Sequence, residues 1–478
     1  MPNFPHRAAL RAAPAFAFAS ALASAPALAA DDAQIQQLRQ EINAMRQDYE
    51  ARLRSLENRL QQAEAAAAAK PAAADAGSAP SPATAQAAPS AAPAAAPEAV
   101  AAAPAAANAF NPAIALILSG TYSNLSQDPA TYRFPGFLTG NQIGPAPQGF
   151  SLGETELNIS ANIDPWFYGA LNLAIDADNS VSVEEAYVQT TALPDGLVLR
   201  AGRYLSGIGY LNSKHAHTWD FADAPLVYQA FLDGQLKEDG LQLRVLLPTA
   251  QFIELGGELG AAGPFPSGNG NGNQPGTATL FAHTGGDVGT GGSWRAGLSY
   301  LWAKANDRES GDIDRAGNDI TNAFDGTSHL VILDGIWKWA PNGNPQRTNL
   351  TLQGEYVWRR ESGRLTYDAT GLAANDSFDF RQSGWYAQAV YQFMPAWRVG
   401  LRYDRLDGGS VNAASNAANL VLPGYAPTRA TVMLDWSPSE FSRIRLQYAN
   451  DRARYGLTDN QFTVQYQMSL GSHGAHDY

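Results

Sequence analysis

From about residue 113 to the end of the chain, polar and apolar residues alternate with a period of two. The clearest stretch runs from Glu154 to Ile163, where every second residue is polar and the residues between them are mostly apolar. Residues 349–359 and 461–470 repeat the pattern. A period of two places successive side chains on opposite faces of a β-strand. The pattern therefore predicts a series of strands with one apolar face each.

Short turns alternate with long polar loops along this region, and the loops are predicted at 125–150, 177–182, 206–239, 261–276, 305–327, 362–382, 407–427 and 452–459. A typical short turn is 341–343, Pro-Asn-Gly, and the aromatic Trp339 lies beside it. Outer-membrane barrels have short periplasmic turns, longer outer loops and aromatic girdles. Strict up-and-down alternation needs 277–284 as a short strand and 285–292 as a glycine-rich turn. The predicted fold class is then all-β: a transmembrane antiparallel β-barrel of about 16 strands (residues 113–478), with both ends periplasmic.

The pattern before the barrel is helical. Over 33–66, apolar residues fall at coiled-coil a and d positions, with one four-residue stutter. We therefore expect an α-helical, self-associating coiled coil in residues 31–66. Residues 67–112 are almost entirely alanine and proline and predict a disordered linker.

The first thirty residues resemble a secretory signal. Arg7 and Arg11 precede an apolar, alanine-rich stretch, and Ala27-Leu28-Ala29 supplies small residues for cleavage. Residues 1–30 are therefore predicted to be a signal peptide. The expected location is the Gram-negative outer membrane, with the coiled coil in the periplasm.

Composition narrows the possible functions. The formal net charge is -13, which argues against a nucleic-acid partner, and the chain has no cysteine for disulfides or thiolate metal sites. Neither a G-x-S-x-G nor an H-E-x-x-H motif nor a P-loop occurs. The sequence therefore predicts a protein that is not an enzyme and carries no cofactor.

Alternation assigns a set of charged side chains to the polar, inward face. In a barrel of about 16 strands that face lines a channel wide enough for water. The predicted pore-lining residues are Arg200, Arg244, Arg295, Arg359, Arg398, Arg402, Arg443, Arg445, Glu185 and Asp404. Arg398 and Arg402 lie on one strand and Arg443 and Arg445 on another, with a single strand between them, so these four are expected to form a positive wall.

The longest outer loop, residues 206–239, is too apolar to lie free in water, since it contains Leu226-Val227-Tyr228. We expect it to fold into the barrel and narrow it. Its candidate constriction residues are Lys214, His215, His217, Trp219, Asp220 and Asp223. Loop acids facing wall arginines would create a transverse field that selects charged solutes. The alternative is that these charges only pair with one another and fill the lumen.

Two histidine pairs have spacings compatible with a metal site, His215 with His217 and His473 with His476. The predicted topology puts the first pair in an outer loop and the second at the periplasmic end. They cannot share an ion, so we predict a structural role and no metal site.

Two motifs resemble a known family. Residues 184–188 (Glu-Glu-Ala-Tyr-Val) and 199–204 (Leu-Arg-Ala-Gly-Arg-Tyr) are similar to porins of the phosphate-selective type. The coiled coil and linker resemble those of DcaP-like porins. The resemblance implies a 16-stranded, trimeric channel of the Gram-negative outer membrane with the third loop as constriction. Two features depart from it: Lys214 is nearly the only lysine of the loop, and Gly471-Ser472-His473-Gly474 separates the last strand from the terminal Tyr478.

The predicted function is therefore that of an outer-membrane porin, a passive diffusion channel for small hydrophilic solutes, with a preference for anions. Expected partners are membrane lipid, those solutes, two further copies of the chain and the cell wall through the coiled coil. Two other functions stay open. One is an anchor that tethers the cell wall or a partner, and the other is a zinc-linked receptor, suggested by the histidine-rich residues 473–477.

Overall fold

The computed structural model describes residues 112–177, 180–269, 274–422 and 424–471. The chain divides into two units, Met1–Pro93 and Ala94–Tyr478, and every described residue belongs to the second. The predicted signal peptide, coiled coil and nearly all of the linker lie outside the described residues.

The described residues form one antiparallel sheet that closes on itself. Strand β1 pairs with β17 on one side and with β2 and β3 on the other, and the remaining strands each pair with their neighbours in sequence. The strands are β1 (Ala113–Leu125), β2 (Gly149–Leu152), β3 (Thr155–Asn162), β4 (Phe167–Ile175), β5 (Val181–Thr190), β6 (Leu197–Leu205), β7 (Lys237–Leu246), β8 (Phe252–Ala261), β9 (Pro275–Val288), β10 (Gly292–Ile313), β11 (Asp319–Trp339), β12 (Asn349–Tyr367), β13 (Ala374–Met394), β14 (Trp397–Asn412), β15 (Thr428–Ser439), β16 (Ser442–Arg452) and β17 (Asp459–Gly471).

The segments β2 and β3 are two parts of one barrel strand. The first pairs with residues 120–123 of β1 and the second with residues 113–117. Only Gly153 and Glu154 separate them. The barrel therefore has 16 strands, and the predicted fold class is confirmed for the described part of the chain.

The polarity of the two barrel faces is inverted relative to a water-soluble protein. Outward residues such as Leu280 and Leu401 are large, apolar and more than 60% exposed, at 64% and 62%. Inward residues such as Gln242, Glu258 and Asp435 are polar and buried. None of the helices in the described ranges has the length and apolar character needed to cross a membrane.

The barrel wall is uneven in height. Strands β3 to β8 have 8 to 10 residues each, whereas β10 to β13 have 19 to 22. Turns at one end are short, as between β13 and β14, and both ends of the described barrel lie there. The predicted strand 277–284 is longer than expected: β9 reaches Val288, and the turn that follows is only residues 289–291.

Within the described residues, four helical segments lie outside the sheet: the helix α1 (Leu226–Leu232) and three short 3-10 segments, Pro129–Thr131, Ala216–Thr218 and Ala414–Ala418. The largest apolar cluster is inside the barrel. It joins α1 to inward residues of the tall wall, including Leu301, Ile332, Val357 and Tyr386. The core of the described barrel therefore consists of loop side chains that pack on the inner face of the tall wall, and it contains no second sheet.

Candidate functional site

Residues 206–236, between β6 and β7, cross the inside of the barrel. We call this segment the crossing loop. His215 of the loop contacts β3 to β5. The following residues, Trp219 and Asp220, contact β14 to β16. The helix α1 packs on β12 to β14. All seven residues of α1 are buried. The apolar run Leu226-Val227-Tyr228 therefore lies inside the barrel, as the sequence predicts.

A single carboxylate on the wall fastens the first part of the loop and its helix. Glu355 of β12 accepts hydrogen bonds from the Tyr228 hydroxyl (2.9 Å), the Tyr386 hydroxyl (2.8 Å) and the Leu211 backbone N–H (2.9 Å). A carboxylate without these donors would be costly to bury. The four groups therefore fix α1 against the tall wall.

The second attachment is a network of arginines and aspartates. Asp223 of the loop lies 3.0 Å from the Arg402 guanidinium and 2.6 Å from that of Arg429. Asp404 lies between the same two arginines, 3.0 Å from the first and 3.6 Å from the second. Burial alone would raise the pKa of Asp223, but the charges of Arg402 and Arg429 outweigh it and hold the pKa below its ordinary value. The loop carboxylate therefore stays ionised and attached.

A neighbouring ion-pair group extends this network towards the short turns. Arg398 lies 2.9 Å from the loop residue Asp220, and Arg398 and Arg445 share Asp435. Arg445 and Arg443 also donate to the backbone oxygen of Trp219. The loop acids face wall arginines as predicted, but at contact distance, where they neutralise part of the positive charge.

The third attachment is a histidine–carboxylate cluster. The Nδ1 atom of His215 lies 3.0 Å from Glu184, and its Nε2 atom lies 3.1 Å from Glu185. His217 contacts Glu156 through Nδ1 at 2.5 Å. Burial alone would lower the pKa of His215, but hydrogen bonds to Glu184 and Glu185 outweigh it and raise the pKa well above its ordinary value. The imidazole ring of His215 is therefore protonated on both nitrogens at neutral pH.

The predicted pore-lining residues separate into two groups. The structure buries Arg359, Arg402, Arg445, Glu185 and Asp404 beneath or against the loops. Partly exposed side chains are those of Arg200, Arg244, Arg295, Arg398 and Arg443. The second group lies on β6, β7, β10, β14 and β16, in the half of the barrel nearer the short turns. We call these five residues the arginine ring.

The arginine ring is accompanied by acids and aromatic rings. Arg244 lies 3.5 Å from Glu254, and Arg295 lies 3.7 Å from Asp334. Arg200 stacks on Tyr187, with the guanidinium carbon 4.0 Å from the ring centre. Lys214 of the crossing loop and Arg295 lie on the same aromatic ring, that of Tyr210. Cations held over π faces keep their charge while their planar groups stay ordered.

A second loop inside the barrel was not predicted. Residues 125–150 were expected to be a polar outer loop, but the connection 126–148 buries Tyr132, Phe134 and Phe137 against the crossing loop. The Tyr132 hydroxyl donates to Asp451 at 2.9 Å. The aromatic residues of this segment are the feature from which its burial could have been predicted. Arg429 was also absent from the predicted pore-lining residues. It lies on β15 an even number of positions before Asp435, so strand alternation places both side chains on the inward face.

No family model matches the chain. An uncharacterized protein of Aquifex aeolicus (strain VF5) is 31% identical over 396 residues, which cover 77% of this chain and 80% of that protein.

Solved structures with a similar fold include three outer-membrane proteins. The channel DcaP of Acinetobacter baumannii is 13% identical, with a TM-score of 0.48 over 75% of this chain and 97% of that one. A loop-deletion mutant of OmpT from Vibrio cholerae is 10% identical, with a TM-score of 0.47 over 76% and 100%. The anion-selective porin from Comamonas acidovorans is 11% identical, with a TM-score of 0.46 over 75% and 99%. Similarities this low carry no argument about function.

Proposed function

The chain belongs to the family of the uncharacterized Aquifex aeolicus protein, and we propose that it is a porin, a passive channel for small hydrophilic solutes in a Gram-negative outer membrane. The observation that carries the proposal is the closed barrel with an apolar exterior and the partly exposed arginine ring inside. A soluble protein would not place its largest apolar side chains on the outside, and a closed barrel leaves no strand edge unpaired.

The dimensions of the barrel support a membrane location. A strand of about 9–11 residues crosses the hydrocarbon layer. The short wall, with 8 to 10 residues per strand, is close to that length. Exposed aromatic side chains stand near the short turns, as interfacial girdles do: Trp166, Phe167, Trp339, Trp436 and Phe441. The short-turn end is then periplasmic, and the tall wall projects outwards.

The proposed solute preference is for small anions. The arginine ring is a partly exposed, positively charged surface in the half of the barrel nearer the short turns. Its acidic neighbours Glu254, Asp334 and Asp220 offset only part of its charge, and Asp435 is shared by Arg398 and Arg445. The positive potential would raise the local concentration of anions.

Ion selectivity in planar lipid bilayers tests this function. We expect a conducting, anion-preferring channel whose anion-to-cation permeability ratio falls when Arg200 is replaced (Arg200→Gln). One charge about 10 Å from a passing ion in water contributes about 0.4 kcal/mol, favourable for an anion and unfavourable for a cation, so the ratio is expected to fall roughly fourfold. The matched control is Arg360→Gln, since Arg360 lies on the outer face of β12, is 56% exposed and is paired with Asp379 at 3.4 Å.

One result would contradict the channel, and another would contradict its proposed selectivity. An inserted barrel without conductance would support the anchor function instead. Equal selectivity in Arg200→Gln and the unchanged protein would remove the arginine ring from the conduction path.

The proposed assembly is a homotrimer, with the short walls facing one another. Outward Leu241 and Leu243 are half exposed on β7, and the Arg203–Asp239 ion pair adds a polar contact point on the same face. The coiled coil predicted from sequence would keep three chains together, and its contact with the cell wall is part of the same proposal.

The mass of the detergent-solubilised protein, corrected for bound detergent, is expected to equal three chains. Leu241→Gln should shift the equilibrium towards single chains because it places an amide in an apolar contact. Leu298→Gln is the control, since Leu298 is also 52% exposed but lies on the tall wall. A single-chain mass for the unchanged protein would contradict the trimer.

A further inference from the structure

Three barrel strands and the crossing loop converge on one point inside the short wall. Glu156 comes from β3, Asn172 from β4, Glu184 from β5 and His215 from the loop. The side chains of Glu156, Asn172 and Glu184 are almost completely buried. One ligand atom each of Glu156, Glu184 and His215 lie within 4.8 Å of one another.

A β-bulge explains why two successive glutamates reach the inside. In the pairing of β4 with β5, Asn172 is opposite Glu185, but the next residue, Leu173, is opposite Val183. Glu184 is therefore the extra residue of the bulge. Strand alternation would send it outwards, whereas both Glu184 and Glu185 are buried inside. Bulges re-aim side chains in this way near functional sites.

The side-chain amide of Asn172 contacts the other three residues of the group. Its Nδ2 atom lies 2.8 Å from Glu156 Oε2, 3.3 Å from Glu184 Oε2 and 3.1 Å from His215 Nδ1. An amide nitrogen has only two protons for these three contacts. Among the described residues its Oδ1 atom is buried and accepts no hydrogen bond. A half-turn about the last torsion of the side chain exchanges the oxygen and the nitrogen.

We propose that this cluster binds a divalent transition-metal ion of the Zn²⁺ class. With the Asn172 amide turned, its oxygen joins Glu156 Oε2, Glu184 Oε2 and His215 Nδ1 as the fourth ligand. Tetrahedral zinc at about 2.0–2.1 Å from its ligands needs ligand atoms about 3.4 Å apart. Five of the six distances between these ligand atoms lie between 2.8 and 3.6 Å and bracket that value.

Three of the four ligands, Glu156, Glu184 and His215, are already held by a second partner on their far side. The Nε2 atom of His215 contacts Glu185 at 3.1 Å. The other oxygen of Glu156 contacts His217, and the other oxygen of Glu184 lies 3.2 Å from Lys237. Metal-binding histidines and carboxylates are usually oriented by such outer contacts. The site therefore needs little rearrangement to accept an ion.

The ligand chemistry and the charge select the ion. One imidazole nitrogen and three oxygens suit zinc and its late first-row neighbours better than calcium or magnesium, which prefer oxygen alone. Two carboxylates balance a 2+ charge, and the metal takes the place of the proton on His215 Nδ1. The His215 side chain is 23% exposed, so an ion can reach it from the lumen. The bound ion would fix the crossing loop to the short wall.

Metal binding by the full-length protein in detergent tests the site. The background is the double variant His473→Ala/His476→Ala, which removes the other histidine pair. After chelator treatment and dialysis, calorimetric titration with Zn²⁺ should give one ion per chain, and Co²⁺ should give the visible absorption of a tetrahedral site. His215→Ala should abolish both signals, and Glu185→Gln should weaken Zn²⁺ binding by about 10- to 100-fold.

The matched control is His283→Gln. His283 is also inside the barrel and contacts one carboxylate, Glu254, at 3.0 Å. It should leave stoichiometry and affinity unchanged. The proposal is overturned if the background protein binds no Zn²⁺, or if folded Glu185→Gln and His215→Ala bind as tightly as the background. These measurements do not involve conductance, so their outcome is independent of the porin function.

Discussion

Replacement of Arg429 by methionine should destabilise the folded barrel by about 3–5 kcal/mol and detach the crossing loop, because it leaves buried carboxylates without their partner. Arg429 is fully buried and joins Asp223 of the loop (2.6 Å), Asp404 (3.6 Å) and Asp451 (3.9 Å). Without it, Arg402 alone pairs with Asp223 and Asp404, and Asp451 loses its ion pair. The expected readouts are a lower urea midpoint, protease cleavage within the loop and a higher, noisier single-channel conductance.

The matched control for this variant is Arg360→Met. Arg360 also forms an ion pair, with Asp379 at 3.4 Å, but its side chain is 56% exposed. Exposed pairs contribute about 0–1 kcal/mol, so both urea midpoint and conductance should stay nearly unchanged. Equal effects of the two variants would show that the buried network does not hold the loop.

Phe231→Ala should have the second large effect, a loss of about 3–5 kcal/mol, the usual range for deleting a buried phenylalanine. Phe231 is fully buried in α1, and the Arg359 guanidinium carbon lies 4.5 Å from its ring centre. The substitution leaves a cavity in the apolar cluster and removes a stacking partner from a buried cation. Urea denaturation should show the loss, and hydrogen exchange should become faster in α1 before it does in the strands.

Phe150→Ala is the control, since Phe150 is 89% exposed on β2. It should change the urea midpoint by a small fraction of the Phe231→Ala effect. A Phe231→Ala protein with unchanged exchange in α1 and an unchanged midpoint would mean that the apolar cluster does not stabilise the loop.

The strand number and the two barrel faces could be predicted from sequence because both depend on local information. Alternation in β3 or β12 is set by each residue relative to its neighbours, and the pleat of a strand converts it directly into inside and outside. The up-and-down order of the strands then follows from the alternation of short turns and long loops.

The boundaries of the strands were predicted less accurately. Segments 305–327 and 362–382 were expected to be loops, but β10 continues to Ile313 and β12 to Tyr367. Backbone pairing continues where the apolar period fades, since ladder hydrogen bonds need no apolar side chains.

The crossing loop was predicted for a reason that also depends only on composition: an apolar run such as Leu226-Val227-Tyr228 is unfavourable in water. The partners of the loop were not predictable. Whether an inward arginine faces water, as Arg200 does, or is buried in ion pairs, as Arg402 is, depends on which loop lies over it.

The sequence by itself thus determined a barrel, its polarity and an inserted loop, because strand periodicity and hydrophobicity act over a few residues. Only the tertiary structure decided the Arg429 network and the group formed by Glu156, Asn172, Glu184 and His215. These contacts join strands and loops far apart in the chain, and one of them depends on a bulge that reverses the direction of a single side chain. Closure of the barrel brings such groups together, and no local pattern records that closure.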